Sequence, residues 1–191
     1  MFHAVYADRQ RSRLPRLLFQ LLHYMHNQRR HRDTADMLVR LYQPILWRAL
    51  TATHATVQLN ATFLLLDTFP LEDPAACREE RELELARQCR LITGLLRQSS
   101  HEVRVAAAKG VCKVLAQYWS IIPADDLKQM MKVLLQELAH DASSVEVRHQ
   151  VVSGLCAVLD NPYTHNYMKS AAALPDGRLP RRAPVGAGRH V

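Results

Sequence analysis

The stretch Ser99-Ser100-His101-Glu102-Val103-Arg104 decides the fold, because the chain repeats it 44 residues later as Ser143-Ser144-Val145-Glu146-Val147-Arg148. Five of the six positions are identical, and each copy lies between two apolar stretches with helical spacing. A weaker copy, Thr53-His54-Ala55-Thr56-Val57-Gln58, precedes the first by 46 residues. Equivalent helix starts at a nearly constant spacing predict a stack of similar helix pairs.

The chemistry of the repeated stretch explains why it would start a helix. Serine followed three residues later by glutamate predicts a capping box, in which the hydroxyl accepts from the N3 amide and the carboxylate accepts from the cap amide. The valine begins the buried stripe, and the arginine can lie along the groove between repeats and reach an acidic neighbour. The predicted repeat-start residues are Ser99, Glu102, Val103, Arg104, Ser143, Glu146, Val147 and Arg148. Repeats in the mid-forties are typical of α-solenoids of the HEAT or armadillo kind.

Composition fits a helical protein of a reducing compartment. The 191 residues are 48% hydrophobic and include only six glycines. The four cysteines, Cys77, Cys89, Cys112 and Cys156, are widely spaced and form no Cys-x-x-Cys pair, which argues against a zinc ribbon and a disulfide framework. No apolar run approaches the roughly 20 residues of a membrane-spanning helix, so we predict no membrane partner.

Positive charge is concentrated at the two ends of the chain. The net charge is +7. Residues 1–48 carry nine arginines and three acids, and residues 166–191 carry five basic residues and one acid. The middle of the chain is mildly acidic, with eleven basic and fourteen acidic residues in 49–165. The whole-chain charge is therefore a weak argument for nucleic-acid binding.

Periodicity divides the chain into three parts. We predict a flexible N-terminus over 1–13, a HEAT-like helical domain over 14–165 and a disordered tail rich in Pro, Gly and Arg over 166–191. The domain begins with one amphipathic helix and continues with helix pairs at about 34–69, 78–116 and 123–160. Pro44 predicts a kink or break near Tyr42. No fourth repeat follows, so we expect the chain to be part of a longer array.

The sequence contains no recognisable catalytic or cofactor motif. No phosphate-binding glycine loop and no nucleophile–base set is present, so we predict a protein that is not an enzyme and has no cofactor or small-molecule substrate. His23 and His26 have the spacing of a metal pair, but no Cys, Asp or Glu lies near them in sequence. We therefore predict no metal site.

A basic cluster at the end of the first helix is the candidate binding site. Arg29, Arg30 and Arg32 are candidate contacts for DNA or another phosphate group. The alternative is an ordinary solvated helix end, where the helix dipole favours cations.

Several longer strings resemble the G-type HEAT subunit of condensin II. They are RLYQPILWRAL at 40–50, NATFLLLDTFPLEDP at 60–74, GVCKV at 110–114 with Tyr118-Trp119, and VLDNP at 158–162. They occur in that subunit's order, and the resemblance covers about residues 14–165.

The resemblance implies a non-catalytic subunit of a chromosome-compacting complex. Its expected partners are the condensin II kleisin and, through it, the SMC ATPases, with DNA or chromatin as a further candidate. Its expected location is the nucleus and mitotic chromosomes. The family protein is several times longer, and a truncated isoform, a partial gene model and a diverged copy all remain open. The alternative function is a general adaptor scaffold, as in transport or phosphatase assemblies.

Overall fold

The computed structural model describes residues 2–7 and 13–172. Every regular element in these ranges is helical, which confirms the all-α prediction. The α-helices are α1 (Phe2–Tyr6), α2 (Arg13–Asn27), α3 (Arg32–Tyr42), α4 (Leu46–Leu50), α5 (Ala55–Thr68), α6 (Arg78–Leu95), α7 (His101–Tyr118), α8 (Ala124–Lys132), α9 (Val145–Leu159) and α10 (His165–Ala172). A π-helical segment, Val133–Glu137, and a 3-10 turn, Leu138–His140, continue α8, and a second 3-10 turn, Pro162–Thr164, precedes α10.

The helices form a stack of pairs, as expected for an α-solenoid. The second helices of the pairs, α5, α7 and α9, lie side by side with α7 in the middle. The first helices are α3 with α4, then α6, then α8, and α6 contacts α8. The helices α5, α7 and α9 begin at Ala55, His101 and Val145, which are the same position of the three repeated stretches.

The predicted interruption near Tyr42 is confirmed. Helix α3 ends at Tyr42 and α4 begins at Leu46, with Pro44 between them. Proline has no amide hydrogen and its ring clashes with the preceding turn, so the first helix of the pair divides there. No described helix combines the length and apolarity needed to cross a bilayer.

Two glycines allow the stacked helices to approach closely. A Cβ placed on Gly110 of α7 would lie 2.3 Å from the Leu66 Cδ1 atom of α5, and one on Gly154 of α9 would lie 2.6 Å from the Cys112 Sγ atom of α7. The two glycines are 44 residues apart, like the repeated stretch. The same close contact therefore recurs at each step of the stack.

The outer face of α9 repeats the pattern of α7 but lies open to solvent. On α7 this face is buried, and on α9 the residues 44 positions later are exposed. The buried residues are Ala108, Cys112 and Leu115, and their exposed counterparts are Val152, Cys156 and Leu159.

The predicted capping boxes are wrong in register. The N-cap residues are the second serines, Ser100 and Ser144, and Glu102 and Glu146 consequently lie at N2 rather than N3. Ser144 Oγ accepts from the Val147 amide at 3.3 Å, whereas Ser100 makes no side-chain cap hydrogen bond.

Ser143, the first serine of the second copy, instead takes part in the contact between repeats. Arg104 Nε donates to Asp141 Oδ2 at 3.1 Å, and its Nη2 donates to Ser143 Oγ at 2.7 Å. Asp141 also accepts from the Ser143 and Ser144 amides. The hydrogen bond from the Ser143 hydroxyl is the main cause that lowers the pKa of Asp141. The predicted reach of Arg104 to an acidic neighbour is therefore confirmed.

The side chain of the last residue of each repeated stretch also donates a hydrogen bond to a backbone carbonyl that precedes the stretch or lies just before the helix. Gln58 donates to the Leu50 carbonyl at 2.9 Å, Arg104 to the Gln98 carbonyl at 2.8 Å, and Arg148 to the Asp141 carbonyl. This hydrogen bond fixes the turn between the two helices of a pair, which gives a physical reason for a long donor at this position.

The N-terminal region differs from the prediction of a flexible segment over 1–13. Residues Phe2–Tyr6 form α1, in which Ala4 and Val5 are buried against the core. Asn60 of α5 donates to the Val5 and Ala7 carbonyls at 3.0 and 3.1 Å. The local pattern of apolar residues could not predict this helix, because hydrogen bonds from the distant Asn60 stabilise it.

The predicted amphipathic helix forms as α2, but half of its apolar stripe is exposed. Leu22 is buried, whereas Leu14, Leu17 and Leu21 are 48%, 59% and 53% exposed. At the other end of the chain, α10 occupies the first part of the predicted tail over 166–191. Residues 173–191 lie outside the described ranges, so the prediction of disorder there stays a prediction.

Candidate binding surfaces

The three arginines predicted as phosphate contacts have different surroundings. Arg29 is half-buried and donates to the His26 carbonyl at 3.3 Å and to the Tyr118 hydroxyl. Its guanidinium carbon lies 6.0 Å from the centre of the Tyr118 ring. Arg29 therefore joins the end of α2 to α7. Arg30 and Arg32 are exposed, and neither makes an ion pair within the described part of the chain.

These arginines line a cleft of about 460 Å³, called the arginine cleft below. It lies between the α2–α3 turn, the loop after α5 and the start of α6, which contributes Arg81. Its charged residues are Arg29, Arg30, Arg32, Arg81, Glu72 and Asp73. Sequence reasoning missed Arg81 because it lies about fifty residues from the other arginines and joins them only in the fold.

Buried contacts hold the walls of the arginine cleft. Gln88 Nε2 donates to the Leu71 carbonyl at 2.7 Å, and the Leu71 amide donates to Gln88 Oε1 at 3.0 Å. This pair of hydrogen bonds fixes the loop after α5 to helix α6. Thr68 lines the cleft with a fully buried side chain, and its hydroxyl has no hydrogen-bond partner among the described residues. An unpaired buried hydroxyl is uncommon and costs free energy.

A buried polar cluster connects α2, α3 and α5. His26 Nδ1 lies 2.6 Å from Asp67 Oδ2, and its Nε2 lies 2.6 Å from the Tyr42 hydroxyl. His23 Nδ1 is also within 2.9 Å of Asp67. Burial opposes the ionisation of Asp67, but the hydrogen bonds from His26 and His23 outweigh it and lower the pKa of Asp67 to about 2. Burial, together with the Asp67 charge, raises the pKa of Tyr42 well above its ordinary value.

The Asp67 cluster corrects one sequence argument. No acid lies near His23 and His26 in sequence, but in the fold the Asp67 carboxylate is hydrogen-bonded to both. Both histidines are hydrogen-bonded to its carboxylate, and His26 is 1% exposed. Among the described residues, no group of three or more His, Cys, Asp or Glu side chains has an arrangement able to hold a metal ion.

A second depression runs along α5, α7 and α9 and is called the helix groove below. Its volume is about 580 Å³. Gly110 and Gly154, which permit the close helix packing, line it together with Phe63 of α5. Lys109 and Lys113 of α7 lie one turn apart on its rim and are exposed. The groove therefore combines apolar surface with two lysines and the carboxylate of Asp67, which also lines it.

The fold and these surfaces define the class of the protein: an α-solenoid of helix pairs that offers open clefts for binding. A model of the family described as "Condensin II non structural maintenance of chromosomes subunit" matches residues 1–73. Condensin-2 complex subunit G2 of Danio rerio is 39% identical over 150 residues, which are 78% of this chain and 13% of the relative.

Two mammalian relatives give the same result. Condensin-2 complex subunit G2 of Homo sapiens is 37% identical over 166 residues, 86% of this chain and 14% of the relative. The Mus musculus protein is 36% identical over 165 residues. The chain is similar to condensin II non-SMC subunits of the G2 type over 78–89% of its own length, and it spans 13–15% of the length of the relatives it matches. No solved structure matches the chain.

Proposed function

We propose that the protein is a non-catalytic subunit segment of condensin II that acts in chromosome condensation by binding the kleisin chain. The similarity of most of this chain to the G2-type subunits is the observation that carries this proposal. The helical stack fits it, because α-solenoids bind extended partners along their stacked helices. The SMC ATPases would associate through the kleisin, and the site of action would be the nucleus and mitotic chromosomes.

The helix groove is the best-suited kleisin surface on the described residues. It extends over three successive second helices, so an extended chain can contact more than one repeat. Its apolar lining suits aliphatic side chains, and Lys109 and Lys113 suit acidic ones. A kleisin segment in this groove should therefore alternate apolar and acidic residues.

A binding measurement with purified kleisin tests this proposal. The double variant Lys109→Glu/Lys113→Glu should weaken binding by about tenfold or more, because two attractive charges become repulsive. Lys132→Glu is the matched control, since Lys132 is an exposed lysine on α8 outside the groove. Equal affinity of the double variant and the control would exclude the groove as the kleisin surface. Absence of kleisin binding by the folded wild-type chain would contradict the function itself.

DNA binding is a second candidate function, favoured by the exposed Arg30 and Arg32 side chains. Each phosphate contact adds about one unit to the dependence of log affinity on log salt concentration. The variant Arg30→Ala/Arg32→Ala should therefore reduce that slope by about two units. An unchanged slope would remove both residues from the DNA surface. Arg29 is a poorer candidate because its guanidinium already contacts Tyr118.

A further inference from the structure

We propose that the arginine cleft binds a phosphorylated peptide segment of a protein partner, with the phosphate held by Arg30, Arg32 and Arg81. The site is separate from the helix groove and adds to the proposed function. Four observations carry it: the charge of the cleft, its unpaired groups, the apolar part of its wall and the rigidity of its frame.

The charge of the cleft matches a phosphate dianion. Four guanidiniums and two carboxylates line it, which leaves two positive charges. A phosphorylated serine or threonine carries about 1.5 to 2 negative charges at neutral pH. Guanidinium groups donate paired hydrogen bonds that fit phosphate oxygens, so arginine clusters are a recurrent means of phosphopeptide recognition.

Several hydrogen-bonding groups of the cleft are unused. Arg30, Arg32 and Arg81 make no ion pair within the described residues, although Glu72 and Asp73 line the same cleft. A structural ion-pair network would have joined these groups. The three guanidiniums would gain partners from a bound anion.

The rest of the wall favours a peptide over duplex DNA. Leu38, Pro70 and Pro74 contribute apolar surface, which suits a side chain next to the phosphorylated residue. The volume of about 460 Å³ lies within the range of small-ligand pockets. The carboxylates of Glu72 and Asp73 interrupt the positive surface, so the cleft offers positive charge for one phosphate group rather than for the repeating array of phosphates of a DNA backbone.

Contacts within the protein fix part of the cleft wall before any ligand binds. Arg29 is fixed against Tyr118, and the loop carrying Glu72 and Asp73 is tied to α6 through Gln88 and Leu71. A preorganised site loses less conformational entropy on binding. The exposed arginines are then the main groups that must become ordered.

A peptide array with the full chain tests the proposal. The array presents peptides with a fixed central phosphoserine and varied flanks, beside matched arrays with serine or glutamate at the centre. The peptide retained most strongly is then labelled and titrated by fluorescence anisotropy. We expect binding at least about tenfold tighter for the phosphorylated peptide than for its serine form, as for a site that gains charge-assisted hydrogen bonds.

Substitutions then locate the site. Arg81→Ala and Arg30→Ala/Arg32→Ala should each weaken phosphopeptide binding by about tenfold or more. Arg48→Ala is the control, because Arg48 is an exposed arginine on α4 outside the cleft, and it should leave binding unchanged. Helical circular dichroism confirms that each variant is folded.

Three results would overturn the proposal. One is equal retention on the phosphoserine and serine arrays, and another is unchanged phosphopeptide affinity of the folded Arg81→Ala variant. The third is displacement of the peptide by short duplex DNA whose own binding depends on Arg30 and Arg32 but not on Arg81, which would assign the arginines to DNA. A failure of kleisin binding alone would leave the cleft proposal standing, because the array uses no kleisin.

Discussion

Substitution of Gly154 by alanine tests the close contact between α7 and α9. The added Cβ would lie 2.6 Å from Cys112 Sγ and 2.7 Å from Cys112 Cβ. Carbon atoms in contact lie about 3.5–4.0 Å apart, so the helices must separate by about 1 Å. Rotation of the Cys112 side chain moves the sulfur but leaves its Cβ in place. The two helices must therefore shift.

The magnitude follows from two opposing effects. Overpacking a core contact costs about 1–3 kcal/mol, while alanine is favoured over glycine within a helix by about 1 kcal/mol. We expect Gly154→Ala to reduce the free energy of unfolding by about 1–2 kcal/mol, which lowers the melting temperature by roughly 2–4 °C per kcal/mol.

Gly94 of α6 provides the matched control for this measurement. A Cβ at Gly94 would have no atom within 4 Å, so Gly94→Ala should keep or slightly raise stability. Urea unfolding followed by circular dichroism measures both variants. If Gly154→Ala is as stable as Gly94→Ala, α7 and α9 do not pack at this distance. The repeated glycine contact would then not determine the spacing of the stacked helices.

Three further predictions concern the polar contacts and the cysteines. The pKa of Asp67 is lowered to about 2 in the folded chain, so its ionised carboxylate adds to the free energy of unfolding above its ordinary pKa near 4. This stabilisation, of up to about 2 kcal/mol, is lost as the pH falls from about 4 towards 2. Acid titration of stability should show the loss, and Asp67→Asn should abolish this pH dependence. In the native chain a thiol reagent should modify the exposed Cys156 and spare the buried Cys112, because burial raises the pKa of the Cys112 thiol to about 12. Equal rates of modification at the two cysteines would contradict the packing of α9 on α7. Arg104→Ala leaves the nearly buried Asp141 carboxylate without its ion-pair partner and should cost about 2 kcal/mol in urea unfolding. Loss of Arg78 from its exposed pair with Glu82 should have no measurable effect, and equal effects of the two substitutions would show that the Arg104 contact adds no stability.

Periodicity was sufficient to predict the helix pairs because each helix has its own pattern of apolar residues. The repeated stretch placed the starts of α7 and α9 to within one residue, and Pro44 placed the break after α3. The capping register could not be read in the same way. Two adjacent serines both qualify as caps, and only the contact of Ser143 with Arg104 and Asp141 in the fold decides between them.

The candidate sites were less predictable because they join residues that are distant in sequence. The cluster at Arg29, Arg30 and Arg32 was visible as a run of charge, but the run could not show that Arg29 contacts Tyr118 or that Arg81 lines the same cleft. Asp67 was likewise absent from the sequence argument on His23, although it lies 44 residues away and within hydrogen-bond distance. Local patterns predict elements, whereas sites depend on how the elements pack.

A pull-down of the tagged full chain from mitotic extract tests the central claim most directly. Mass spectrometry of the retained proteins, after washing at high salt, should identify the condensin II kleisin together with the SMC ATPases. Their recovery would show that the interface lies within these helix pairs. If a chain with a helical circular dichroism spectrum retains neither the kleisin nor the SMC proteins, the proposed condensin II function of this segment is wrong.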